Sequence, residues 1–64
     1  MRDERRLPYS KLLRIPQVAE GLDVSTRTVR RLIAAGELVA CRFGRSVRVH
    51  PDDLVAYIRR RRGL

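Results

Sequence analysis

The tightest constraint on this chain is the short link between two helical patterns. Ile15, Val18, Ala19 and Leu22 recur at the spacing of one helix face, and Val29, Leu32 and Ile33 do so again a few residues on. Helices joined this closely must cross at a steep angle, so the pair reads as helix, tight turn, helix. The first helix is predicted over Leu13 to Leu22, with Pro16 in its first turn, where N–H groups lack a helical partner anyway. Gly21 weakens its end by about 1 kcal/mol relative to alanine. Asp23 carries the turn, since aspartate visits left-handed backbone more readily than most residues.

The second helix lies within Val24 to Gly36, V-S-T-R-T-V-R-R-L-I-A-A-G. Ser25 is its N-cap, a hydroxyl able to accept from a free N–H of the first turn. Gly36 stands where a helix ends through a left-handed residue. Opposite the Val29, Leu32 and Ile33 stripe lie Arg27 and Arg31, with Arg30, Thr28 and Ala34 beside them. Arginine is a strong helix former, so this front is compatible with a plain solvated face. Solvated faces ordinarily mix charges, however, and no acid stands between Asp23 and Glu37. Guanidinium forks match guanine edges and phosphates, and threonine lets a backbone come close.

The whole chain has the same bias. Its formal charge is +8, nearly all of it from arginine, because Lys11 is the sole lysine. Such an excess favours polyanions: DNA, RNA or an anionic membrane surface. With 64 residues the core is thin, and a domain this small rarely holds more than ~3–5 kcal/mol of net stability. Cys41 and His50 are single, which leaves no disulfide framework and no metal site, and fits a reducing, cytoplasmic setting. No phosphate-binding glycine loop or nucleophile triad is present, so neither an enzyme nor a cofactor is expected. No apolar run spans a bilayer and no signal-peptide pattern follows Met1, which sets a membrane aside.

Residues 1–11 are polar and read as a flexible tail; the alternative is a basic arm that follows a groove through Arg2, Arg5 and Arg6. From Glu37 to Val49 the period changes to two. Val39, Cys41, Phe43, Val47 and Val49 are apolar, with Arg42 and Arg48 between them, which predicts a hairpin around Gly44-Arg45-Ser46. Keeping all of the apolar residues on one face sets Phe43 against Val47 and Cys41 against Val49, across a three-residue loop. That register opposes Arg42 to Arg48, a like-charge pair that an overlying polyanion would relieve, and leaves Arg45 free at the tip. Pro51 to about Arg61 is the third helix, with Asp52 and Asp53 at its positive end and Arg59 to Arg62 at its negative end. Leu54, Tyr57 and Ile58 form its inner stripe. The arginine run is either a C-terminal cap or a backbone or partner contact. His50 reads as a cap or surface residue.

The order and spacing resemble one family. V-S-T-R-T-V-R-R-L-I-A-A-G-E-L, V-A-C-R-F-G-R-S-V-R-V and D-D-L-V-A-Y-I together resemble the excisionase-type winged helix-turn-helix, a branch of the MerR-like superfamily. The resemblance implies a mostly α domain over residues 12–62, with a small β-hairpin as its wing. It implies double-stranded DNA as partner, read by Ser25, Thr26, Arg27, Thr28, Arg30 and Arg31 of the second helix and by Arg42, Arg45, Ser46 and Arg48 of the wing. Many such proteins bend DNA beside a site-specific integrase and direct it towards excision of a mobile element, and further copies can sit side by side on the DNA. Others regulate transcription. The short chain, with no sensing domain, favours the excisionase. An RNA-binding role would need exposed aromatic platforms, and of Tyr9, Phe43 and Tyr57 two are assigned to the core. Three positions depart from the family pattern: Arg14, where a Ser or Thr cap is usual; Gly21, where Leu is usual; and Asp23, where Gly is usual.

Overall fold

A computed structural model describes residues 11–63. The expected tail therefore lies, Lys11 apart, outside the described residues. The elements run α1 (Ile15–Leu22), α2 (Thr26–Ala34), β1 (Cys41–Phe43), β2 (Ser46–Arg48) and α3 (Pro51–Arg62), the two strands pairing antiparallel. This is the mostly helical, winged helix-turn-helix architecture expected.

α1 starts at Ile15, two residues later than the expected Leu13. Pro16 cannot donate to a carbonyl one turn back, so the helix begins where Pro16 falls at its second position. Leu13 instead pairs with Val49, donating to its carbonyl at 2.8 Å and accepting from its N–H at 2.9 Å. The N-cap of α1 is Arg14, whose guanidinium has only donors and cannot cap. Gln17 supplies half of a capping box, its Oε1 accepting from the Arg14 N–H at 2.8 Å. Asp23 ends the helix in left-handed conformation, φ 59° and ψ 45°. There the Val24 N–H reaches the Ala19 carbonyl at 3.0 Å and the Asp23 N–H reaches that of Glu20 at 3.2 Å, the paired bonds of a Schellman motif.

α2 is closed at both ends. The Ser25 Oγ accepts from the Thr28 N–H at 3.1 Å. Gly36 takes φ 79°, with Gly36 N–H to Ile33 carbonyl at 3.0 Å and Glu37 N–H to Leu32 carbonyl at 2.9 Å. This second Schellman motif turns the chain sharply and sends Leu38 into the core.

Among the described residues the fully buried core is Ile15, Val18, Ala19, Val29, Leu38 and Val49, drawn from both helices of the motif, the link after α2 and the end of the wing. Leu22, Leu32, Ile33, Leu54 and Tyr57 pack around it. α3 buries none of its residues completely, and Ile58, expected on its inner stripe, is 36% exposed.

The hairpin overturns the expected register. Phe43 pairs with Ser46, Arg42 with Val47 and Cys41 with Arg48, across the two-residue turn Gly44-Arg45. Gly44 has φ 64°, and Arg45 is not among the described residues with positive φ. Positive φ at the first central position alone is the demand of a type II′ turn, which glycine meets without steric cost and which suits the twist of a ribbon. This turn preference outweighs the burial of one apolar side chain: Phe43 is 57% exposed, not in the core. The like-charge apposition of Arg42 and Arg48 is absent, so it supplies no reason for an anion on the hairpin.

Candidate nucleic-acid interface

The front of α2 follows from its back. Val29 has no exposed surface and Leu32 and Ile33 are half-buried against the core, which leaves Arg27, Arg30 and Arg31 exposed on the far side. Thr26 is exposed in the first turn, whereas Thr28 is half-buried. Ser25 and Thr28 are tied together: the Ser25 Oγ donates to the Thr28 Oγ1 at 3.1 Å while accepting from its N–H. The exposed positions project from a helix whose entry and exit are both fixed by hydrogen bonds.

In the wing, Arg42, Arg45 and Ser46 are exposed. Arg48 is half-buried, and its Nη1 donates to the Val47 carbonyl at 2.9 Å. It lies on the ribbon face of Cys41 and Phe43, while Arg42 shares the opposite face with Val47. Of the candidate residues, Thr28 faces a groove against α3, whereas Arg30 of the helix is brought together with Arg45, Ser46 and Arg48 of the wing along one flank of α2. A groove of about 290 Å3 there is lined by Arg30, Arg45, Ser46 and Arg48 and also by Arg14, a residue that the spacing of the motif did not single out as a contact. The signal for it was in the sequence: a cation where a capping acceptor belongs.

The arginine run of α3 is partly occupied with structure. Arg60 donates to the Glu37 carbonyl at 2.7 Å, and the Arg61 Nη1 lies 3.9 Å from the Glu37 Oε1. Both guanidiniums stand about 6 Å from the Tyr57 ring centre, a cation–π distance. These two arginines clasp the link between α2 and the wing. His50 caps α3, its Nδ1 accepting from the Asp52 N–H at 3.0 Å. Among the described residues no group of side chains could hold a metal ion, and no helix is long and apolar enough to cross a membrane.

Residues 12–62 match the helix-turn-helix domain family. The excisionase of Mycobacterium phage D29 is 52% identical over 46 residues, which span 70% of this chain and 82% of the phage protein. An uncharacterized protein of Mycobacterium tuberculosis is 47% identical over 55 residues, 86% of this chain, as is one of Mycobacterium bovis. The chain spans about half the length of those two relatives (48%). A match over residues 12–62 covers α1, the turn, α2, the wing and α3, so this chain belongs to the helix-turn-helix domain family of DNA-binding domains.

Proposed function

We propose that the chain is an excisionase: a sequence-specific, architectural DNA-binding protein that directs a site-specific integrase towards excision of a mobile element. The observation that carries this reading is the 52% identity to a phage excisionase, 82% of whose length the chain covers. The distribution of charge supports it. α2 enters the major groove with Arg27 and Arg31 towards base edges and Ser25, Thr26, Thr28 and Arg30 along its rim. The wing lies over the adjacent backbone, with Arg42, Arg48 and Arg45, on its two-residue turn, at phosphates. Contacts on both sides of one backbone favour a bent duplex, and a bend is what an integrase can use. Further copies can bind side by side where sites repeat.

In a purified reaction with the cognate integrase and a substrate carrying both attachment sites, added protein should raise the yield of excised circle. An unchanged yield, together with altered transcription from a neighbouring promoter, would replace the excisionase by a small transcriptional regulator of the same fold.

A further inference from the structure

The groove between α1, α2 and the wing collects charge from four separate segments. Arg14 comes from the start of α1, Arg30 from the middle of α2, Arg45 from the hairpin turn and Arg48 from β2. Ser46 adds a hydroxyl, and among the described residues no carboxylate lines the groove. A wider groove of about 840 Å3 shares Arg14, Ser46 and Arg48 and adds Lys11 and Gln17, again with no acid among its described residues. Cations converging on a concave surface focus the field there and draw in an anion.

Arg14 is the informative member, because folding alone gives it little reason to be arginine. A Ser, Thr, Asp or Asn side chain at an N-cap accepts from the first turn, which a guanidinium cannot do. A cation at the positive end of a helix dipole is also misplaced. Both penalties turn into a benefit once an anion sits beside it.

We infer that this groove seats a single phosphate of the DNA backbone, with Arg14 as a contact residue alongside Arg30, Arg45 and Arg48. The seat rests on the DNA-binding reading and deepens it: one phosphate ties α1, α2 and the wing together and sets the register of α2 along the duplex. A phosphodiester fits better than a base edge. The groove lies off the front of α2, and guanidinium forks and a serine hydroxyl are the usual partners of its non-bridging oxygens.

Arg14→Ser separates the two roles of this position, because it restores a cap and removes the cation. The variant should melt at a higher temperature than the parent. On a duplex carrying the best site recovered from a random pool, it should bind roughly ten-fold or more weakly, the loss expected of one charge-assisted contact. The slope of log affinity against log salt should flatten by about one unit. Replacing backbone phosphates one at a time by neutral methylphosphonates should identify one linkage whose neutralisation weakens the parent but not Arg14→Ser, and the same linkage should go silent in Arg30→Gln. Arg14→Gln, which keeps the side chain's length, gives the same reading if the serine variant proves misfolded by circular dichroism. Parental affinity and salt slope in the folded variant would overturn the seat, as would different silent linkages for Arg14 and Arg30. Failure of the parent itself to bind any duplex at low salt would instead overturn the DNA-binding reading beneath it.

Discussion

α2 and the hairpin both expose arginine, and Arg30 of one meets Arg45 and Arg48 of the other, but the two are held in unlike ways. α2 is closed by Ser25 at one end and by Gly36 at the other and rests on a side chain with no exposed surface, Val29. The hairpin has strands of only three residues, Cys41–Phe43 and Ser46–Arg48, and its tip carries an exposed phenylalanine. Its hold on the domain runs through Val47 in the middle of β2 and through Val49 and the Leu13 bridge at its base. One arm of the proposed interface is thus a rigid template and the other a ribbon held mainly towards its base. A rigid helix suits discrimination among base pairs, where small displacements cost hydrogen bonds. A ribbon pinned at its base suits backbone contacts, which tolerate adjustment.

The comparison can be broken at the residue both arms share. Leu38, 1% exposed, follows the glycine exit of α2 and precedes β1. Truncating a buried leucine costs about 2–5 kcal/mol, comparable with the whole stability of so small a domain. Leu38→Ala should therefore unfold helix and wing together at room temperature, seen as loss of helical circular dichroism. A folded variant that lost only the wing would show that the arms are independent.

Smaller changes should act on one arm. Arg27→Ala should cost ~1–3 kcal/mol of binding on the selected site and relax preference at one base pair, with no loss of helicity. Equal loss on a scrambled duplex would make Arg27 a phosphate contact and remove the contrast between the arms. Gly44→Ala forces a side chain into φ 64° and should cost about 1–2 kcal/mol. That loss should appear as amide exchange protection falling in β1 and β2 while α2 keeps its own. Phe43→Ser should change stability least, by about 0.5 kcal/mol or less, because the ring lies mainly in solvent. Had Phe43 faced Val47 inside the core, truncation would cost ~3–5 kcal/mol, so chemical denaturation distinguishes the two registers plainly.

This last pair shows where sequence reasoning reached and where it stopped. The caps, stripes and turn of the two helices were legible because each rests on a local rule with one dominant outcome: Ser25 caps, Gly36 and Asp23 take left-handed backbone, and Val29 points inward. The same holds for Arg27 and Arg31, whose outward direction follows from the period of a helix. Hairpin register is a competition between turn geometry and side-chain burial, and alternation alone reports only on burial. Gly44 followed by a polar residue was itself a two-residue turn signal, and it prevailed over Phe43. The start of α1 was misplaced because Pro16 does not permit a helix two residues longer, and Leu13 lies off the helix's apolar face, free to pair with Val49. Arg14 was visible only as a departure from the family's capping residue. Its nearness to Arg30 and Arg48 depends on how α1 and the wing pack, which no local rule supplies.

The Leu13–Val49 bridge has a consequence for the order in which the protein assembles. Helical turns form within about a microsecond, but a bridge between a residue before α1 and one at the end of the wing must wait until the intervening chain has closed into a loop. Val49, a partner in that bridge, has no exposed surface and belongs to the core, so the core cannot be completed before the bridge closes. Folding is then a single concerted closure, in which neither the helix pair nor the hairpin persists as a stable fragment. In the parent chain heat should therefore melt both arms of the proposed interface at the same midpoint.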